Sequence, residues 1–193
     1  MDIVVASNNQ GKIREIKEIL NGYNILSLKE AKIDTDVEED KDTFVENAKK
    51  KAETIAKLLN SLKWCMADDS GIKIEYLDGF PGVYSKRWHA GTDRERNLAI
   101  IEKMKRVPKE KRKMTFVSAM AISNGDETII HIGELKGYVA EEPRGENGFG
   151  FDEIFELENG KTLAEITLEE KNMYSARKKA IEGLKIKFES YLK

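Results

Sequence analysis

Met66-Ala67-Asp68-Asp69-Ser70-Gly71 is the stretch on which the reading of the fold depends. It follows an apolar run that starts at Leu62 and precedes the alternating segment Ile72-Lys73-Ile74. Two adjacent carboxylates, a hydroxyl and a glycine therefore stand where one strand is expected to end and another to begin. Asp-Ser-Gly is ordinary turn chemistry. Fixed at a strand end with a cation nearby, the same pair would hold Mg²⁺ and activate a water. Only the rest of the chain weighs one reading against the other.

Upstream, Ile3-Val4-Val5-Ala6 is a short β-type run that ends at Ser7-Asn8-Asn9-Gln10-Gly11-Lys12. Ile13, Ile16, Ile19 and Leu20 then fall on one helical face, with Arg14, Lys17 and Glu18 off it, and Asn21-Gly22 stops the helix. A polar strand-to-helix turn leaves backbone N–H groups pointing outward, and Lys12 adds a mobile charge, so the stretch reads either as a phosphate site or as a plain helix start with a solvated lysine. The glycine spacing is not that of a Walker loop. A second strand is expected over residues 23–28, then an acidic stretch over 34–40. A helix follows over 42–62, with Phe44, Ala48, Ala52, Ile55, Leu59 and Leu62 as its apolar stripe. The acidic stretch, which holds Glu38 and Glu39, either favours the helix N-terminus or supplies further metal ligands.

Downstream, Gly79-Phe80-Pro81-Gly82-Val83-Tyr84-Ser85 and Lys86-Arg87-Trp88 form a punctuated loop suited to packing or to a base or ribose contact. Thr92 or Asp93 caps a helix reaching Lys105, with Leu98, Ile100, Ile101 and Met104 turned inward, and residues 107–112 read as a charged linker. Residues 114–122 read as a buried strand, turned back by Asn124-Gly125-Asp126 into a return strand over 128–139. Breaks are expected in it near Gly133 and Gly137. In Gly145-Glu146-Asn147-Gly148-Phe149-Gly150-Phe151-Asp152 the glycines allow close backbone approach. The stretch reads either as a structural loop or as a ligand contact, in which Phe149 and Phe151 offer stacking surface and Asp152 an acceptor. Thr167 and Glu170 form a capping box, and Ser175 caps a last helix striped by Ile181, Leu184, Phe188 and Leu192. Lys171, Arg177, Lys178 and Lys179 crowd its start, a charge that an anion would offset.

The 193 residues fit a single domain with two lobes, and 40% hydrophobic with 35% charged residues fits a soluble globular chain. A net charge of −2 excludes a global basic field for nucleic acid or a membrane surface, while leaving room for a local anion pocket. One cysteine, Cys65, excludes an internal disulfide and fits a reducing compartment. The start lacks the features of a secretion signal and no apolar run is long enough to span a bilayer, so a cytoplasmic location is expected. His89 and His131 stand at no ligand spacing, which argues against a histidine metal site.

The pieces assemble into the inventory of a nucleotide phosphohydrolase: a phosphate-binding turn, acidic metal ligands and an aromatic in a glycine-rich loop. The ordered motifs Ser7-Asn8-Asn9-Gln10-Gly11-Lys12, Thr43-Phe44-Val45-Glu46-Asn47-Ala48, Ala67-Asp68-Asp69-Ser70-Gly71, Gly79-Phe80-Pro81-Gly82-Val83-Tyr84-Ser85, Gly148-Phe149-Gly150-Phe151-Asp152 and Glu169-Glu170-Lys171 span nearly the whole chain. In them the chain resembles the inosine triphosphate pyrophosphatase (Ham1-like) family. The resemblance implies an α/β fold: a long twisted mixed β-sheet flanked by helices, two lobes with an active-site cleft between them, and a homodimer. It also implies Mg²⁺-dependent conversion of ITP, dITP and XTP to monophosphate and pyrophosphate, which cleanses the nucleotide pool. By position, Asp69 would be general base and metal ligand, Glu38 or Glu39 the other acidic ligand and Asp68 a supporting acid. Ser7, Asn8, Asn9, Gln10, Gly11, Lys12 and Ser70 would hold the triphosphate. Phe149, Gly150, Phe151, Asp152, Lys171 and Arg177 would enclose the base and nearby phosphate. Ala176 stands where the family has a base-contacting histidine, and Asn8 where glycine is usual, so base preference is open while the hydrolytic carboxylates are intact. Two other readings are a Maf-like enzyme for pyrimidine or modified nucleotides and a nucleotide-binding module without catalysis.

Overall fold

The computed structural model describes residues 1–61 and 63–193. Leu62, expected in the stripe of the second helix and at the head of the apolar run, lies outside the described residues. Its elements in chain order are β1 (Asp2–Val5), α1 (Gln10–Ile19), β2 (Asn24–Ser27), α2 (Phe44–Leu58), β3 (Trp64–Ile74), α3 (Asp93–Lys103), β4 (Lys113–Ser123), β5 (Thr128–Val139), β6 (Phe155–Glu156), α4 (Leu168–Tyr174) and α5 (Ala176–Tyr191). The strands form one six-stranded sheet in the order β2-β1-β3-β4-β5-β6. β1 is parallel to both β2 and β3, and β5 is antiparallel to β6, so the sheet is mixed and the fold α/β as expected. Parallel neighbours need crossovers, which α1 and α2 supply. The turn joining β4 to β5, closed by Asn124 N to Glu127 O, is too short for anything but antiparallel neighbours.

Contacts divide the chain into two compact units. Unit 1 is Met1–Ser70, Ser118–Gly133 and Ala176–Lys193; unit 2 is Gly71–Val117 and Glu134–Ser175. In unit 1 strand alternation sorts β3 between two cores. Met66 packs with Ile13 and Ile16 of α1 and Ile181 and Leu184 of α5, whereas Cys65 packs with Ile55 and Ala56 of α2.

The turn expected at Asp68-Asp69-Ser70-Gly71 is absent: β3 runs unbroken through it. Local chemistry suggested a turn, but both faces of this strand are covered, and each carboxylate finds partners on its own face. Gly71 belongs to the strand for a different reason. A Cβ there would overlap the Ser85 hydroxyl, which accepts from Ile72 N at 3.0 Å and donates to the Gly82 carbonyl.

Other expectations shift for similar reasons. α2 starts on its Thr43 cap but ends at Leu58, and Asn60 and Ser61 then take left-handed φ of 52° and 56°. Thr92 and Glu95 make a full capping box on α3, whose buried face is Asn97, Ile100 and Met104; Leu98 is exposed, not inward. The charged linker hides a buried residue. Arg112 donates to the carbonyls of Val139 (2.7 Å), Met104 (2.8 Å) and Ala140 (2.6 Å), closing the C-terminus of α3 with its rigid fork. β5 does not break at its glycines. A Cβ at Gly133 would overlap the Ala176 carbonyl, and one at Gly137 the Phe155 ring, so both mark close approach of a neighbour. Among the described residues no helix is long and apolar enough to cross a membrane.

Candidate active site

Successive residues of a strand face opposite ways, and in β3 this separates the two acids. Asp68 lies on the side of α1 and α5. Its carboxylate accepts from Lys12 Nζ at 2.7 and 3.0 Å, and Arg177 Nε stands 3.9 Å away. Burial alone would raise its pKa, but Lys12, Arg177 and Lys51 outweigh it and hold Asp68 well below the usual carboxylate range. Asp69 lies on the α2 side, where Asn47 Nδ2 donates to it at 2.9 Å. Burial, and after it the nearby Glu39 charge, pushes Asp69 up to about 6 against the pull of Lys51 and Asn47. Lys51 threads between the acids: its ammonium donates to the Asp68 carbonyl and pairs with Glu39 at 2.5 Å. Glu38, by contrast, is exposed, and its backbone carbonyl accepts from Lys50 at 2.9 Å.

Among the described residues no three His, Cys, Asp or Glu side chains converge as a ready-made metal cage. Asp69 and Glu39 still fit Mg²⁺. They are hard oxygen donors, their mutual repulsion is visible in the raised pKa of Asp69, and Mg²⁺ typically takes one or two carboxylates and completes its shell with water and phosphate.

The Ser7–Lys12 turn is more closed than its sequence suggests. Asn9 caps α1, its side chain accepting from Gly11 N at 2.9 Å and Lys12 N at 3.2 Å, so these amides do not point outward unpaired. Asn9 N in turn donates to Ser7 Oγ at 3.2 Å. Lys12 is not mobile; it is buried and fixed on Asp68. Asn8, Gln10 and Gly11 are exposed, and Ser70 Oγ approaches Asp68 at 3.4 Å. Arg177 is buried and pairs with Glu15 at 2.9 Å, while Ala176 packs its backbone on Gly133.

In unit 2, Asp152 organises the glycine-rich loop. One of its oxygens accepts from Phe149 N at 2.8 Å and from Lys171 Nζ at 2.5 Å, and Lys171 Nζ lies 4.9 Å from the centre of the Phe149 ring. Phe149 is 56% exposed, whereas Phe151 is 9% exposed, so one phenylalanine offers a stacking face and the other belongs to the core. Lys171 and Arg177, expected as one anion grip, each have their own partners: Asp152 for the first, Glu15 and Asp68 for the second.

The model of the Ham1 family matches residues 3–187 of this chain. The chain belongs to the Ham1 family. A dITP/XTP pyrophosphatase of Clostridium perfringens is 44% identical over 200 aligned positions, covering 98% of each chain. One of Bacillus subtilis is 45% identical over 190, covering 95% of this chain and 94% of the relative. The solved structure of the Staphylococcus aureus Ham1 protein superposes with a TM-score of 0.91 at 38% identity, covering 99% of this chain and all of that one.

Reading this Ham1 chain from its motifs missed Asn47 and Lys51, which touch Asp69 and Asp68. The signal was present: both fall on the buried stripe of α2 with Phe44, Ala48, Ala52 and Ile55. Polar residues at stripe positions are costly unless partnered, so they point inward at something.

Proposed function

We propose that this chain is a Mg²⁺-dependent nucleoside triphosphate pyrophosphatase that cleaves ITP, dITP and XTP to monophosphate and pyrophosphate. The names of its relatives support the reaction class. The observation that carries the reading is the split between Asp68 and Asp69: one carboxylate locked as an anion among cations, the other with raised proton affinity beside a second acid. Neighbouring carboxylates pushed apart in this way take separate chemical roles.

Asp69, the carboxylate of the pair whose proton affinity is raised in the metal-free chain, accepts the proton of the attacking water. Asp68 holds Lys12 in place, and Lys12, Ser7 and Ser70 receive phosphate oxygens. Asp69 and Glu39 would hold Mg²⁺, with Glu39 preferred to exposed Glu38 because its charge is the one felt by Asp69. Bound there, Mg²⁺ supplies charge neutralisation and a more acidic water. In unit 2 the open face of Phe149 stacks on the base, with the Lys171 ammonium beside it. A donor facing the purine 6-position donates to the oxygen of inosine or xanthosine and meets the amine of adenine as a second donor.

The test is release of pyrophosphate from ITP or XTP by purified protein, with Asp69→Asn losing most activity while keeping its circular dichroism. Equal turnover of ATP would refute the base preference, and release of single phosphates the reaction type. The reading includes a cytoplasmic homodimer. Family resemblance supports it, as do Leu168 and Met173, 72% and 67% exposed on α4. Light scattering on the eluting protein checks the mass.

A further inference from the structure

A half-exposed aromatic cannot be held by its own packing, so the position of Phe149 depends on the backbone around it. Phe149 N–H is taken by Asp152. The next residue, Gly150, is gripped on both sides by α3. Asp93 Oδ2 accepts from Gly150 N at 3.1 Å, and Asn97 Nδ2 donates to Gly150 O at 2.8 Å. Asp93 and Asn97 are four residues apart on one helix, and so lie on one face and act on one loop together. Gly150 sits at φ 66°, where a Cβ would meet nothing within 4 Å; it is there for its dihedral, which the two bonds fix.

Asn97 is 1% exposed, and its other bond runs to Glu153 Oε1 at 2.9 Å. Its own Oδ1 is buried with no hydrogen-bond partner. The side chain is therefore held through its donors alone, at a stripe position where an apolar residue would bury without penalty. We infer that Asn97, with Asp93, is a positioning residue for Phe149, setting the surface on which the nucleobase stacks. The inference deepens the nucleotide reading above and rests on it for the identity of the ligand.

The expected signature separates base from phosphate. Asn97→Ala raises KM for ITP about tenfold, the worth of one buried hydrogen bond, narrows the preference for ITP over ATP, and leaves kcat nearly unchanged. Affinity for inorganic tripolyphosphate, which has no base, stays at the wild-type value. Hydrogen exchange at the Gly150 and Asp152 amides accelerates, while exchange at Ala119 in β4 does not. Asn97→Asp, isosteric but unable to donate, behaves like the alanine variant. Asp93→Ala, which frees Gly150 N and the Arg96 guanidinium but leaves the Asn97 bond to Gly150 O in place, gives a smaller change in the same direction and serves if Asn97 variants do not fold.

Unchanged exchange at Gly150 would overturn the clamp. Faster exchange with an unchanged KM and ITP/ATP ratio would reduce Asn97 to a structural tie and overturn its positioning role. A wild-type protein that turns over neither ITP nor XTP would sink the nucleotide reading, and the exchange result would still decide the clamp.

Discussion

Asp68 and Asp69 share a peptide bond, yet their proton affinities are driven in opposite directions by what each face of β3 presents. For Asp69 the folded chain keeps a proton up to about pH 6, whereas an ordinary aspartate releases it near 3.8. Between those values the folded state binds more protons than the unfolded one, so stability of the metal-free chain falls as pH rises from about 4 to about 6. The deficit above that window is up to about 3 kcal/mol, reduced by any relaxation around the site. Asp69→Asn should therefore melt higher than wild type in EDTA at pH 7.5, with the difference shrinking toward pH 4, while losing activity. Identical melting at both pH values would show that Asp69 is not destabilising the fold. Asp68 carries the opposite sign: its depressed pKa contributes stability above 3.8 that is lost as pH falls further. Asp68→Asn leaves Lys12 and Arg177 buried without their shared anion and should cost about 3–5 kcal/mol near neutrality, read from denaturant midpoints.

At the scale of elements, glycines and polar stripe residues report contacts that lie far away in sequence. Gly133 permits the first turn of α5 to sit directly on β5, and the atoms a Cβ would strike are the Ala176 carbonyl and the Ala180 amide nitrogen. Backbone cannot rotate aside as a side chain can. Gly133→Ala should cost roughly 2–4 kcal/mol and, by displacing the turn that carries Arg177, also lower activity. Urea titration and a rate assay measure the two effects separately. A neutral Gly133→Ala would mean that α5 slides freely on the sheet. The same distance in sequence explains the misreadings. Asp68-Asp69-Ser70-Gly71 has the composition of a turn, and its conformation is decided by α1, α2, α5 and Ser85. Gly133 and Gly137 look like strand breaks because the backbone and the ring they admit are unseen in a local window. The helix starts at Thr92 and Thr167 were legible because a cap depends on only four consecutive residues.

At the scale of the whole molecule, the six motifs in their order carried the resemblance to the Ham1 family, and that resemblance implied the mixed sheet. The pairing of charges was not legible. Lys12 appeared as a loose cation and is spent on Asp68; Glu38 and Glu39 were equivalent in sequence and differ in burial. That closed charge arrangement makes a prediction about the molecule as a ligand-linked system. The metal-free chain keeps Asp69 partly protonated, so Mg²⁺ must displace a proton to bind, and its stabilising effect should grow with pH through about 6. At a hundredfold excess over its dissociation constant a bound ion adds about 2.7 kcal/mol, which for a chain of this size raises Tm by roughly 5–10 °C. Thermal melts with Mg²⁺ and with EDTA should therefore separate by that amount at pH 8 and by only about half as much at pH 5, where the proton weakens binding about tenfold. In Asp69→Asn the two curves should stay together at both. A separation of equal size at pH 5 and pH 8, or one that survives in Asp69→Asn, would place the ion somewhere other than beside Asp69 and Glu39.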